Sequence, residues 1–298
     1  MEELVSAIIT TYGRKFGVIK RSIESVLCQT YKSIEIILID DNDPDSLFRK
    51  DIENSIKDYS EIRYVPLLKN SGAQKARNIG IEIAKGNFIA FLDDDDEWLP
   101  DKIEKQMNII SENVGLVYCM GYTVFEDSRK TVDYVTTKNF RKEVSFVDLL
   151  YGDYIGTTTQ ALIPKGVFKA AGLFDLDQPA RQDYEMWIRI SKHFKCVGVA
   201  EPLFRHYVHE GEQISKDNLK SITGFERIYN KNIENYKKHP FARAHICLLI
   251  SSLYKKQKNT NKFLYYRSRF LLYSFLSFFC EPKKIIEHLN DKKSCSKS

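Results

Sequence analysis

The sequence predicts an α/β fold, a mostly parallel sheet flanked by helices and followed by a helical C-terminal extension. Three observations carry that prediction. Over the first 120 residues, short β-rich runs alternate with amphipathic segments at intervals of about 25 to 30 residues, the signature of βαβ units. Two acidic clusters, Asp40-Asp41 and Asp93 to Asp96, follow apolar runs and so fall at strand ends. From about Asn218 onward, helical periodicity continues without intervening β-rich runs.

The elements follow in order. VSAIITTY (Val5 to Tyr12) reads as the first strand, and Ile19, Ile23, Val26 and Leu27 recur at helical spacing after it. IEIILI (Ile34 to Ile39) is a buried strand, a helix follows from about Ser46, and IRYV (Ile62 to Val65) is the third strand. A helix from about Ala73 to Ala84 leads to NFIAFL (Asn87 to Leu92), the fourth strand. The next helix is expected near Pro100, since proline suits a first turn. Residues 115 to 210 are less regular: GLVYCMGYTVF and TTTQALIP read as strands around a polar stretch near 127 to 143, and a helix runs from about Asp183 to His193. Residues 1–215 are expected to form one domain, with halves at 1–114 and 115–215, and residues 216–298 the extension.

Composition narrows the class. With 43% hydrophobic and 29% charged residues, the chain is that of a soluble globular protein. Its six cysteines are scattered without a CxxC pair, which argues against a zinc site or a disulfide framework and suits a reducing, cytoplasmic setting. The N-terminus lacks a basic region followed by an apolar one, and the apolar run Phe270 to Cys280 is too short to span a bilayer. The net charge of +5 is uneven: residues 255 to 298 hold eleven Lys or Arg against three Asp or Glu, leaving the rest net acidic. No basic stripe crosses the folded part, so nucleic acid is not an expected partner. A basic tail rich in Phe and Tyr suits peripheral contact with an anionic membrane surface; the same aromatic face also suits the core of a helical hairpin or a homodimer contact.

FLDDDDEW (Phe91 to Trp98) raises the functional question. Two like charges about 4 Å apart repel by roughly 4 kcal/mol at an effective dielectric of 20, so four adjacent aspartates at a strand end call for a counter-charge. Ligands of parallel sheets sit beyond the carboxyl ends of the strands. A divalent cation held by one or two carboxylates, while it also grips a diphosphate, would supply the charge.

Taken together and in order, SAIITTYGR, IILIDDNDPD, KNSGAQKARNIGIEIAKGNFIAFLDDDDEW, RQDYEMWIRI and PLFRHYVHEGEQIS resemble the family 2 glycosyltransferases with a GT-A fold, over roughly residues 3 to 215. The resemblance implies an inverting transferase that moves a sugar from a nucleoside diphosphate, with UDP expected, to an acceptor hydroxyl. It places Asp93 and Asp95 at the donor, Asp95 as ligand of Mn2+ or Mg2+ with Asp93 beside it, and Asp96 next to the reacting sugar. Asp94 is expected to matter least. Asp40 is implied to read the base; a carboxylate only accepts hydrogen bonds, which favours a base presenting an N–H. Thr11 and Tyr12 are implied nucleotide contacts, although Thr10 and Gly13 stand where the family usually has proline and asparagine. Arg77 is implied near the base or phosphates, with a salt bridge to an aspartate as the competing structural reading.

Asp183 matches the family's catalytic base, a carboxylate placed to take the acceptor's proton. Aspartate is also a favoured helix cap, and Glu185 is the alternative base. Trp98 is expected either to stack on an acceptor sugar or to pack in the core. His209 fits an approach to the metal or phosphates better than His206 does. The expected acceptor is a glycan or lipid-linked glycan of a bacterial surface polysaccharide. Two rivals remain: a non-catalytic, cation-dependent binder on the same fold, and a nucleotidyltransferase, whose basic glycine-rich phosphate loop is not evident in TTYGRKFG.

Overall fold

A computed structural model describes residues 2–125, the backbone of 134–135, and residues 140–208 and 217–281. The strands are β1 (Val5–Thr11), β2 (Ile34–Asp40), β3 (Ile62–Pro66), β4 (Phe88–Asp93), β5 (Glu97–Trp98), β6 (Val114–Phe125), β7 (Tyr134–Val135), β8 (Glu143–Val144), β9 (Leu162–Pro164) and β10 (Lys195–Val208). The helices are α1 (Phe16–Leu27), α2 (Leu47–Ser55), α3 (Ala73–Ile83), α4 (Lys102–Met107), α5 (Phe146–Tyr151), α6 (Val167–Ala171), α7 (Gln182–Ser191), α8 (Asn218–Lys231), α9 (Ile233–Lys238), α10 (Pro240–Lys256) and α11 (Thr260–Cys280).

These elements divide into two compact units, one of Met1–Val144, Ile155–Leu176 and Arg189–Glu210, the other of Ser145–Tyr154, Asp177–Ile188 and Gly211–Ser298. The first holds the whole sheet, in the order β3-β2-β1-β4-β9-β6-β10-β5. β3, β2, β1 and β4 are mutually parallel, as the βαβ spacing predicts. β9 enters antiparallel to both β4 and β6, and β10 then runs parallel to β6. In register, Thr11 stands opposite Asp40 and Thr10 opposite Asp93, so three strands deliver their polar ends to one edge. The core beneath is apolar: Val5, Ala7, Ile9, Ile36, Leu38, Ala90 and Leu92 pack with Ile19 and Ile23 of α1. Local chemistry fixes the joints. Ser46 caps α2 by accepting from the Phe48 N–H at 3.2 Å, and Gly72, with φ 86°, turns the chain into α3 in a conformation other residues adopt at a cost.

Two expectations are corrected, and one strand was not anticipated. The helix expected near Pro100 begins at Lys102, because β5 pairs with β10 (Trp98 opposite Phe204) and the Leu99 N–H then bonds the Leu203 carbonyl at 2.9 Å, keeping the chain extended. TTTQALIP is a strand only from Leu162: Thr158–Gln160 forms a 3-10 turn, closed by reciprocal bonds between Thr157 and Gln160. The fourteen-residue β10 has no clean alternation in the sequence, since its pairing with β6 shifts register around Val199, Pro202 and Arg205.

In the second unit, α10 begins with Pro240, whose missing N–H costs nothing in a first turn, and packs along α11. Tyr254 and Tyr266 stack with centroids 5.8 Å apart, and both hydroxyls donate to Glu226 of α8, at 2.9 and 2.8 Å. Among the described residues, Cys28, Cys119, Cys196, Cys247 and Cys280 are unpaired thiols, and no helix is long and apolar enough to cross a membrane.

Candidate active site

The aspartate run is sorted by the turn that follows β4, where the Asp96 N–H bonds the Asp93 carbonyl at 3.1 Å. Asp93 and Asp95 are partly exposed, whereas Asp94 and Asp96 turn inward and are buried. A hydroxyl below supports the turn: Ser22 of α1 sits under its carbonyls and donates to that of Asp96 at 2.7 Å.

Each carboxylate has its own partner. Arg77 Nη2 lies 2.8 Å from Asp93 Oδ1, the salt bridge that competed with a donor contact for this arginine, and Thr158 Oγ1 donates to the same oxygen at 3.3 Å. Arg14 Nη2 lies 2.7 Å from Asp95 Oδ2, and its Nε 3.7 Å from Asp94. His206 Nδ1 is 2.8 Å from Asp96 Oδ1, and Thr159 donates to Asp96 Oδ2 at 2.7 Å. Arg21 Nη2 donates to the Asp95 carbonyl at 2.9 Å, with its guanidinium 3.5 Å from the centre of the Tyr207 ring. The counter-charges that the run calls for are thus partly the protein's own.

Burial sets the protonation. Loss of water pushes the Asp94 carboxyl up to about 7; Thr11 and Arg14 oppose the rise, while Asp95 and Asp93 add to it. Burial likewise raises Asp96 to about 6, against the pull of its bond to His206. That same bond raises the imidazole to about 9, so the pair is ionised near neutral pH.

A second cluster closes the edge at β2. Asp40 is fully buried and both its oxygens are engaged inside the protein: Oδ1 accepts from the Asn42 N–H at 2.9 Å and from Asn42 Nδ2 at 2.7 Å, Oδ2 accepts from Tyr64 at 2.6 Å and is ion-paired with Arg49, whose Nε lies 2.8 Å away. Arg49 also donates to the carbonyls of Asp40 at 3.1 Å, Leu67 at 2.9 Å, and Asn42. Asp41 faces the α3 entry, where Oδ1 takes the Ser71 N–H at 2.7 Å and Oδ2 the Gly72 N–H at 2.8 Å. Burial raises its pKa, and those two bonds oppose the rise. Gly13, at φ +66°, donates its N–H to Asn42 Oδ1 at 2.8 Å, tying the β1 loop to the β2 loop. Thr11 is buried and Tyr12 projects at 57% exposure.

The remaining candidates separate. Trp98 is buried at 1% exposure, donates to the Thr159 carbonyl at 3.3 Å and carries the Lys102 ammonium 4.4 Å from its ring centre, so it is a core residue with no face open to a sugar. Asp96, expected beside the reacting sugar, points into the protein. In the second unit, Asp183 is the second residue of α7 rather than its cap, follows Arg181 at φ 60°, and accepts the Tyr184 N–H at 2.8 Å on Oδ1. Glu185 is buried and ion-paired with Lys231 at 2.8 Å, which leaves it poorly suited as a base. His209 lies outside the described residues. Sequence reasoning passed over Arg14 and Arg49 and ranked His206 below His209. Arg14 carried a signal, sitting directly after the first strand in TTYGR; the His206 bond to Asp96 carried none, because its partner is remote in sequence.

Comparison with known proteins follows the geometry. Residues 6–171 match the model of the family described as "Glycosyl transferase family 2". Over 229 residues the chain is 36% identical to an Escherichia coli UDP-Glc:alpha-D-GlcNAc-diphosphoundecaprenol beta-1,3-glucosyltransferase, covering 74% of this chain and 83% of that one. It is 28% identical to the amylovoran biosynthesis glycosyltransferase AmsB of Erwinia amylovora, over 70% of this chain and 73% of that protein. An uncharacterised glycosyltransferase of Rickettsia felis is 31% identical, and there the chain spans only 36% of the relative's length. Among solved structures, S. aureus TarS with UDP-GlcNAc superposes at a TM-score of 0.60 with 15% identity, over 90% of this chain and 92% of that one. The Pyrobaculum calidifontis mannosyltransferase PcManGT, solved with GDP-Man and Mn2+, gives 0.64 with 13% identity over 100% and 81%.

Proposed function

The chain belongs to glycosyl transferase family 2 and has the GT-A fold, and from that premise we propose that it transfers a sugar from a UDP-sugar to an acceptor hydroxyl with inversion, using a divalent cation, during bacterial surface polysaccharide assembly. The observation that carries the reading is the outward pair Asp93 and Asp95 at the carboxyl end of β4, beside the polar ends of β1 and β2.

The donor set fits a hard cation. Among the described residues no three His, Cys, Asp or Glu side chains group to hold a metal by themselves. Two carboxylates suffice where the remaining ligands are water and diphosphate oxygens, the usual manner for magnesium-type ions. Asp95 and Asp93 would hold such an ion, and when bound it would neutralise the leaving diphosphate. Arg77 fixes Asp93 in orientation, and Arg14 adds positive charge where the diphosphate is expected. Asp40 and its neighbour Asp41, at the α3 entry, are the candidate acceptors for an N–H of the base, while Thr11 and Tyr12 flank the nucleotide. Asp183 is assigned to take the acceptor's proton, in keeping with its place in the family pattern. The lipid-linked acceptor of the E. coli relative supports a lipid-linked glycan as acceptor here.

Thermal shift with a panel of nucleoside diphosphate sugars and manganese tests the assignment. A donor at one hundred times its Kd stabilises by about 2.7 kcal/mol, roughly 5 to 10 °C for a domain of this size. Asp95→Ala should abolish the manganese-dependent part of the shift. Asp183→Asn should keep the shift and lose transfer, and loss of both would mean that its role is misassigned.

A further inference from the structure

The helix α11 presents an apolar face that is exposed among the described residues. Tyr266, Tyr273 and Ser277 are buried toward α10, whereas Leu264, Leu271, Leu272, Phe275, Phe278 and Phe279 are 51 to 73% exposed. Wound at about 100° per residue, these six fall on one arc of roughly 120°, which Leu276 and Tyr265 extend on one side. From Leu264 to Phe279 that face is about 22 Å long, and uncovered apolar surface on this scale marks an interaction site.

We propose that α11 lies in the interface of an anionic phospholipid bilayer, parallel to its plane, and so holds the chain at a membrane surface without spanning it. Charge placement selects this occupant. On the same winding, Arg267 borders the apolar arc on one side and Arg269 on the other, the position from which arginines reach lipid phosphates while the apolar face enters the acyl boundary. Arg269 is held there, 4.1 Å over the Tyr265 ring, and Arg267 lies 4.9 Å over that of Phe270. The helix contains no acidic residue. The next carboxylate, Glu281, is turned back to the Phe241 N–H at 2.9 Å and to His239 and Tyr151 at 3.1 Å each. Residues 255–298 carry eleven Lys or Arg against three Asp or Glu. A second copy laid on this face would bring two such basic segments together, whereas an anionic bilayer neutralises them.

Co-sedimentation of the full chain with vesicles tests the proposal without reference to the transfer reaction. Binding is expected to vesicles of phosphatidylcholine with phosphatidylglycerol, weakening as salt rises, and to be far weaker with phosphatidylcholine alone. Phe275→Ser with Phe279→Ser should reduce the bound fraction at least tenfold, and Arg267→Gln with Arg269→Gln about tenfold. Phe275, Phe279 and Arg267 are exposed and Arg269 is half-buried, and unchanged circular dichroism and melting temperature will show that these variants fold. The proposal is overturned if the chain stays in the supernatant with anionic vesicles, if the Phe variants bind as well as the parent, or if analytical ultracentrifugation finds a dimer that those substitutions dissociate.

Discussion

Replacing Arg49 by methionine tests whether the β2 edge is held by one buried ion pair. Arg49 and Asp40 side chains are 5% and 0% exposed and 2.8 Å apart, and the same guanidinium donates to carbonyls from three points: the end of β2, the loop after it and the residue after β3. Methionine fills much of the volume, so the loss is electrostatic rather than a cavity. Asp40 then keeps only Asn42 and Tyr64. Removing one partner of a buried pair costs about 3 to 5 kcal/mol, because the remaining charge is uncompensated. For a domain of this size 1 kcal/mol corresponds to roughly 2 to 4 °C, so a loss near 3 kcal/mol lowers Tm by about 6 to 12 °C. The chain has two tryptophans, Trp98 in the first unit and Trp187 in the second. In a Trp187→Phe background, Trp98 fluorescence therefore reports melting of the unit under test. Adding Asp40→Asn to Arg49→Met removes the stranded charge and should restore part of the loss. A Tm change under about 2 °C for Arg49→Met, or strict additivity in the double variant, would falsify the reasoning.

The remaining predictions concern packing and pH. Gly121→Ala would set a Cβ 2.1 to 2.5 Å from ring atoms of Phe204, itself buried under the sheet, so a loss of about 1 to 3 kcal/mol is expected in urea unfolding, and an unchanged midpoint would contradict the packing. His206, raised to about 9 by Asp96, contributes stability that is present in full below its unfolded value of about 6.5 and is lost as pH rises through about 9. Asp96 acts in the opposite sense, since ionising a buried carboxyl above about 6 costs stability, which the imidazolium offsets. With the imidazole about a third exposed, screening reduces the effect to roughly 1 kcal/mol. Tm should therefore fall more steeply between about pH 6.5 and 9 in the parent than in His206→Gln; parallel curves would rule the pair out as the cause.

The legible part of the fold is the part built from local periodicity. β1 to β4 and their helices were all readable within one or two residues, because a strand buried on both faces is a continuous apolar run and its helix an amphipathic one. What escaped depends on partners far along the chain. β10 is recognisable only through its pairing with β6, which is interrupted where Pro202 removes a backbone donor. Thr158–Gln160 reads as β-prone until the Gln160 side chain is seen to close the turn on Thr157. In the site, strand-end carboxylates were legible as a class, but the partners that hold each of them were not. Asp40 and Asp41 are neighbours in different settings because Arg49 and Tyr64 reach one and the Ser71-Gly72 backbone the other.

The same logic resolves the repulsion within FLDDDDEW. Four ionised carboxylates in one environment would oppose folding, since each adjacent pair costs up to about 4 kcal/mol. The turn after β4 sends them to two environments instead. Inward, the run sheds charge: Asp94 rises to about 7 and is partly protonated near neutrality, and Asp96 is offset by His206. Outward, Asp93 and Asp95 are ion-paired with Arg77 and Arg14, which approach from α3 and from the loop after β1. The turn thus separates a structural pair from a chemical pair within four consecutive identical residues. It also predicts that Asp94→Asn will be nearly silent in both stability and transfer, whereas Asp95→Asn will spare stability and abolish transfer. Equal loss of activity in the two variants would show that the run acts as one undivided charge cluster.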